Sequence, residues 1–120
     1  MDEAQVLPTV DRDTLVRMRQ SGTPLILIDV LTHESYHQAH IPGSINIPLP
    51  VLRQLAPVLL GHTERLVVYC ANFACSASAT AVRLLQQIGY TQVWDYTGGI
   101  EDWDAGGLPL AYEGNEAQAA

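Results

Sequence analysis

The chain has 120 residues, 48% of them hydrophobic, and a formal net charge of −7. That length suits one domain with a single core, and no apolar run approaches the roughly 20 residues that span a bilayer. The acidity excludes the basic footprint that nucleic acid or an anionic membrane surface requires, and it disfavours small anionic substrates unless backbone dipoles draw them in.

In chain order, residues 11–20 place Leu15 and Met18, with Val16 beside them, on one face of a helix that Ser21-Gly22 ends. Pro24 precedes Leu25-Ile26-Leu27-Ile28-Asp29-Val30, an unbroken apolar run of the kind found in strands buried on both faces. A short helix over 33–39 has Thr32 as its cap, His40-Ile41-Pro42-Gly43 is a turn, and residues 44–48 alternate as a short strand. A second helix is predicted within 51–60, confined to one side of Pro57 because proline lacks the N–H of the helical ladder. Residues 65–70 form the central strand. Ala77, Ala81, Leu84, Leu85 and Ile88 then recur at helical spacing until Gly89. Residues 92–96 are a further strand, Gly98-Gly99 a turn, and 100–105 a short helix stopped by Gly106-Gly107. Strands alternating with helices predict an α/β domain with a mainly parallel sheet. No repeat or low-complexity linker interrupts it.

Chemistry is expected after the central strand. Cys70 closes the run Leu66-Val67-Val68-Tyr69-Cys70, and a short loop ending in Cys75 separates it from a helix opening at Ser76-Ala77-Ser78. A thiol between a strand's carboxyl end and a helix N-terminus meets unpaired backbone N–H groups and the positive end of the helix dipole. That setting favours the thiolate, which is the nucleophile. Asp29 falls at the same sheet edge, where ligands bind in open α/β folds. The acidic N-terminus lacks the basic and apolar regions of a signal peptide. A cytoplasmic location is therefore expected, where two cysteines are catalytic, redox-active or inert more often than bridged.

Three runs of residues carry a resemblance. Leu27-Ile28-Asp29-Val30 with Glu34, Tyr36 and His40-Ile41-Pro42-Gly43-Ser44-Ile45-Asn46-Ile47-Pro48 resembles the first signature of the rhodanese homology domain. Val67-Val68-Tyr69-Cys70 with a tight loop and Ser76 resembles its active-site strand and loop. Gly89-Tyr90, then Gly98-Gly99-Ile100, Trp103, Gly106 and Pro109, with Leu108 as an extra residue, resembles its closing signature. The match runs from about Thr9 to Leu110, in the right order. It implies a three-layer α/β fold with a five-stranded, mainly parallel sheet flanked by helices. The domain would span residues 9–112, after an N-terminal extension (1–8) and before a disordered tail (113–120).

The resemblance also implies a sulfurtransferase in which Cys70 carries sulfane sulfur as a persulfide. The donor would be a small sulfur compound such as thiosulfate or a thiol persulfide, and the acceptor a thiol or a protein. Backbone amides of Ala71, Asn72, Phe73, Ala74 and Ser76 would cradle the persulfide or the donor's sulfonate. No cofactor, metal, nucleic acid or membrane is implied, and the chain would act as a monomer or weak homodimer. The alternative is a catalytically weak module for protein binding or thiol–disulfide redox sensing.

Three positions depart from the family pattern. Leu31 stands where an arginine usually follows the strand-end Asp-Val, Phe73 replaces a loop glycine, and Cys75 replaces a loop arginine. Backbone amides alone would hold a dianionic donor, and a charge-assisted hydrogen bond is about twice as strong as a neutral one. Weak thiosulfate turnover with a high KM is expected. The missing arginine also argues against the phosphatases and arsenate reductases of this fold, whose longer loop ends in one.

Cys75 creates a dithiol. Cysteines at i and i+5 around a tight turn can bring their Cα atoms within about 7 Å, the limit for bridging. Cys75 is then a resolving thiol that attacks a Cys70 persulfide or sulfenate, or else a small apolar residue opening a helix. The bland reading of Cys70 is an inert buried thiol. Asp29 is expected to orient loop amides or hold a turn, and His40 to hydrogen-bond within its turn rather than act as a base. His33, His37 and His62 lack ligand spacing, and two cysteines with a distant histidine make no zinc site. Phe73 either shields the pocket or lies on the surface, and Trp94 and Trp103 pack in or near the core. Arg53 or Arg65 reaching the pocket would restore part of the missing charge.

Overall fold

The computed structural model of the protein describes residues 7–113. Along them lie β1 (Thr9–Val10), α1 (Arg12–Gln20), β2 (Ile26–Asp29), α2 (His33–Gln38), β3 (Ile45–Asn46), α3 (Leu49–Leu59), β4 (Leu66–Tyr69), α4 (Ala77–Gln87), β5 (Val93–Tyr96) and α5 (Gly99–Ala105). The strands form one five-stranded sheet in the order β1-β5-β4-β2-β3, and every pair is parallel. Parallel neighbours need crossover connections, and the crossing helices bury both faces of the sheet. The predicted α/β class and parallel sheet are therefore present.

Alternation along β4 decides which layer each side chain enters. Leu66, Val68 and the following Cys70 join Ile28, Leu52, Ala56, Ala81, Val82 and Leu85 in one core, beneath α3 and α4. Val67 and Tyr69 join Leu15, Leu27, Tyr96 and Trp103 in the other, with Trp94 packed at its margin. Both faces are covered, so β2 and β4 read as unbroken apolar runs rather than as alternating ones. The same parity aims the Cys70 sulfur at α4.

Local signals hold at most element ends. Asp11 caps α1 by accepting from the Thr14 N–H at 2.8 Å, and Thr32 caps α2 by accepting from the Ser35 N–H at 3.1 Å. Two expectations need correction. First, α3 continues through Pro57 instead of stopping beside it. Residue 57 would have donated to the Arg53 carbonyl, and both residues are exposed, so the missing bond falls on the outer side of the helix while Leu52 and Ala56 stay in the core. Second, β1 was not legible as a strand. It is two residues long, with Thr9 and Val10 in register with Asp95 and Tyr96.

Contacts reach slightly past the predicted domain limits. Leu7 packs against the α3/α4 core, the Asp95 N–H donates to the Pro8 carbonyl at 2.9 Å, and the Glu113 N–H donates to the His37 carbonyl at 2.8 Å. Residues 1–6 of the predicted extension and 114–120 of the predicted tail lie outside the described residues.

Candidate active site

β4 delivers Cys70 to the carboxyl edge of the sheet with its side chain almost wholly buried, at 1% exposure. The loop turns back at once, and Cys70 and Cys75 are joined as a disulfide with their Cα atoms 6.5 Å apart. Asn72 organises the turn. Its side-chain oxygen accepts from the Ala74 N–H at 3.0 Å and its carbonyl from the Cys75 N–H at 3.1 Å, while its amide nitrogen donates to Glu101 at 3.1 Å. One amide of the predicted cradle, that of Ala74, is thus engaged with Asn72 in the disulfide form, as is the neighbouring amide of Cys75. Ser76 is the residue before the first turn of α4 and makes no side-chain cap bond.

The back of the loop is fixed by α5. The Ile100 and Glu101 N–H groups donate to the carbonyls of Cys70 and Ala71 at 3.1 and 3.0 Å. These are first-turn amides that the helix itself leaves unpaired. On the α4 side, the Ser78 hydroxyl lies 3.4 Å from the Cys70 sulfur, and both side chains are buried. Asp95 is buried on β5, and burial pushes its carboxyl pKa upward while Ser78 draws it back.

Asp29 ends β2 beside Tyr69, its register partner on β4. Its Oδ1 accepts from the Leu31 N–H at 2.8 Å, and burial raises its pKa against the opposing pull of Leu31, Tyr69 and His40. Asp29 therefore holds the turn after β2. The Tyr69 hydroxyl in turn receives the Ile41 N–H and pairs with Ser44, each at 3.0 Å, and burial beside Asp29 keeps it firmly protonated. His40 is engaged in its own segment. Its Nδ1 lies 2.7 Å from the Tyr36 carbonyl, its ring stacks on Tyr36 at 3.7 Å, and its backbone pairs with Ala111.

A central parallel strand ending in a buried cysteine, followed by a tight loop that two helix N-termini brace, is matched at the level of whole chains. The Rhodanese-like domain profile covers residues 11–106. The chain belongs to the rhodanese-like domain family. It is similar to the rhodanese-like domain of an Anabaena protein, with a TM-score of 0.80, 28% identity, and coverage of 89% of this chain and 80% of that one. A thiosulfate sulfurtransferase of Escherichia coli is 37% identical over 76 residues, which are 62% of this chain and 70% of that protein. An HTH-type transcriptional regulator of Mycobacterium tuberculosis is 36% identical over 101 residues, 84% of this chain but 43% of the regulator. An adenylyltransferase and sulfurtransferase of Ogataea parapolymorpha is 36% identical over 98 residues, 82% of this chain and 24% of that protein. The chain thus spans less than half the length of several curated relatives it matches.

In this rhodanese-like domain no arginine enters the loop. All six basic residues of the chain are arginines. Arg53 is exposed and reaches Gln87 at 3.4 Å, and Arg65 lies at the opposite end of β4, touching the Pro24 carbonyl at 3.5 Å. At about 3.3 Å per residue, that strand keeps Arg65 roughly 17 Å from Cys70. Arg19 donates to the Pro42 carbonyl at 2.6 Å and sits over the Trp103 ring, and Arg17 and Arg83 belong to exposed faces. Neither Arg53 nor Arg65 restores the missing charge.

Arg12 is the basic residue that sequence reasoning missed. A pocket of about 190 Å³ beside the loop is lined by Arg12, Asp11, Asp13, Tyr96 and Asp102, with Phe73 as one wall. Arg12 donates to the Asp102 carboxylate at 3.1 Å and to its carbonyl at 2.8 Å, and the Tyr96 hydroxyl takes the other carboxylate oxygen at 2.6 Å. Its charge is therefore matched within the pocket. Nothing in the sequence placed α1 next to the loop, because β1 inserts beside β5 only through two residues. Phe73 itself is 71% exposed. Among the described residues no cluster of metal-ligating side chains occurs, and no helix is long and apolar enough to cross a membrane.

Proposed function

We propose that the protein is a sulfurtransferase whose Cys70 carries sulfane sulfur and whose Cys75 resolves it. The Cys70 thiolate attacks the outer sulfur of a persulfide-type donor. The donor's S–S bond breaks, its thiolate leaves with the electron pair, and Cys70 holds a persulfide. An acceptor thiolate then takes the terminal sulfur and regenerates the Cys70 thiolate. When no acceptor arrives, the Cys75 thiolate attacks the Cys70 sulfur, hydrosulfide leaves, and a Cys70–Cys75 disulfide remains until an external dithiol reduces it.

The observation that carries this reading is the Cys70–Cys75 disulfide at the end of β4, at the position where the family resemblance implies the sulfur carrier. Relatives named as sulfurtransferases support the coarse activity. The absence of a loop guanidinium favours persulfide donors over thiosulfate. The test is intact-mass analysis after incubation of the reduced protein with a polysulfide donor. A carrier gains the mass of one sulfur atom, located on the Cys70 peptide. Cys70→Ser abolishes that gain, and Cys75→Ser lets it accumulate. An unlabelled wild-type protein would rule the activity out.

The same disulfide favours a second reading, a thiol–disulfide sensor or binding module that performs no sulfur transfer. The curated relative named as a transcriptional regulator, more than twice the length of the matched region, is consistent with such a module. Reversible disulfide formation without any sulfur loading selects this alternative.

A further inference from the structure

We propose that the groove between α1 and the chain after α5 binds an extended acidic peptide of a protein partner, seating one aromatic or branched apolar side chain against Trp103 and a carboxylate on Arg19. In the proposed sulfur transfer that partner is the protein acceptor, and this assignment alone rests on that reading.

The groove follows from helical spacing. Arg12, Val16 and Arg19 recur at i, i+4 and i+7 and form one stripe along α1, with Asp13 and Arg17 on the stripe beside it. Three hollows follow this stripe and share walls. The hollow beside the loop, with Phe73 as a wall, shares Arg12 and Asp13 with a second of about 320 Å³ that also takes in Arg17. The second shares Val16 and Leu108 with a third of about 180 Å³ at Arg19 and Trp103. Seven residues of helix rise about 10 Å, which an extended peptide covers in about three residues. A continuous trough of that length suits a peptide strand better than a compact metabolite.

The third hollow defines what the peptide must carry. Apart from Arg19 and Gln20 its lining is apolar, and the Trp103 N–H is already given to the Pro109 carbonyl at 2.9 Å, so the indole presents only its ring. A cavity of about 150 Å³ holds a benzene ring, and this hollow therefore takes a single aromatic or branched side chain. Arg19 is its unmatched charge. The guanidinium Nη2 donates to the Pro42 carbonyl at 2.6 Å and the group lies 5.7 Å from the Trp103 ring centre. The ion pairs among the described residues are Arg12–Asp102 and His37–Glu113, so Arg19 has no carboxylate of its own. It is partly buried, and burial draws its pKa down. A cation so placed gains from an anion that takes up its remaining N–H donors.

Charge along the groove agrees. Three of the six basic residues of this acidic chain, Arg12, Arg17 and Arg19, stand on α1. Arg17 is exposed and meets the Thr14 hydroxyl at 3.3 Å without an ion pair. The acidic residues of the groove, Asp13 and the Asp102 that matches Arg12, lie at its loop-side end. The positive end is therefore the Trp103 end, where an acidic segment would be held.

The experiment titrates the isotope-labelled full chain with three acetylated and amidated probe peptides, Asp-Phe-Asp-Ser, Lys-Phe-Lys-Ser and Asp-Ser-Asp-Ser, followed by NMR. Asp-Phe-Asp-Ser should shift the Trp103 indole N–H and the amides of Arg19 and Leu108, with an affinity that falls as salt rises. The other two should not shift them at the same concentration. Arg17→Glu should weaken binding roughly two- to fivefold, the scale of an exposed pair. Arg19→Gln should weaken it roughly tenfold or more, the scale of a hydrogen bond to a charged group, and Arg19→Lys should recover part of that loss. Arg19 also holds the Pro42 turn, so Leu108→Glu, which puts a like charge in the hollow and leaves that contact alone, is an independent check and should abolish binding. Equal shifts with the lysine peptide, no shift at these resonances, or binding unchanged in Arg17→Glu and Leu108→Glu overturns the proposal. Groove shifts that follow protein concentration without peptide would assign the groove to a second copy, and shifts that follow Glu116→Gln would assign it to the chain's own C-terminal segment; either overturns it. Peptide binding needs no sulfur loading. A protein that loads sulfur but ignores the probe fails only here, and one that binds the probe but never loads sulfur fails only the sulfurtransferase reading.

Discussion

The amide hydrogen of Ile100 is donated to the carbonyl oxygen of Cys70 at 3.1 Å, so the second residue of the last helix holds Cys70 from behind. The approach is possible because Gly99 precedes it. Gly99 has φ +64, and a Cβ there would meet the Cys70 carbonyl oxygen and lie 2.8 Å from the Ala71 carbonyl carbon. These are backbone atoms and cannot swing aside. Gly99→Ala combines a left-handed backbone with overpacking, each of which is destabilising. The expected loss is about 2–4 kcal/mol in urea unfolding, together with displacement of the loop read as altered Cys70 alkylation. A variant as stable as wild type would mean that α5 does not brace the loop.

Tyr69 supports the other side of the edge. Its hydroxyl receives the buried Ile41 N–H and pairs with Ser44, tying the segment after α2 to the central strand. Tyr69→Phe keeps the ring in the α1/α5 core but orphans that amide. A buried donor without a partner costs about 1–3 kcal/mol, and the unfolding midpoint should fall accordingly. The sulfur-loading assay should change little by comparison, since Tyr69 faces away from the Cys70 side chain.

Much of this architecture was legible because the physical signals were local. Asp11 and Thr32 cap the helices they precede, and the unbroken runs around Ile28 and Val68 announced strands buried on both faces. Pro57 misled because the rule concerns a missing donor, and an exposed carbonyl tolerates that loss. β1 was too short to carry a pattern. At the site, the cysteines and their loop could be read from the chain, but the placement of Arg12 and Ser78 could not. Each comes to the loop's surroundings through tertiary packing: Arg12 through α1, and Ser78 through the face of α4 that parity selects.

Burial raises the pKa of both Asp29 and Asp95. A carboxyl that binds its proton more tightly when folded contributes stability that is full below the unfolded value, near 3.9, and lost as pH rises through the raised folded value. These two groups therefore make stability decline as pH rises above about 4. Urea midpoints measured across that window should show the decline, and Asp29→Asn or Asp95→Asn should each flatten it. Identical slopes in wild type and both variants would show that neither carboxyl is protonated more readily in the folded chain.

Donor choice can be tested by returning the charge that this loop lacks. Cys75→Arg places a guanidinium at the loop position where the family pattern has one, and it removes the thiol proposed to resolve the persulfide. A hydrogen bond to a charged group contributes about 1.5–3 kcal/mol, so the thiosulfate KM should fall by roughly tenfold or more, since 1.4 kcal/mol is a factor of ten. Disulfide formation is lost in the same variant, and the persulfide should persist as it does in Cys75→Ser. The two variants separate the two consequences of one residue. Cys75→Ser retains sulfur without improving thiosulfate use, whereas Cys75→Arg does both. If Cys75→Arg leaves the KM unchanged, charge at the loop is not what limits this donor, and the burial of Cys70 becomes the cause to pursue.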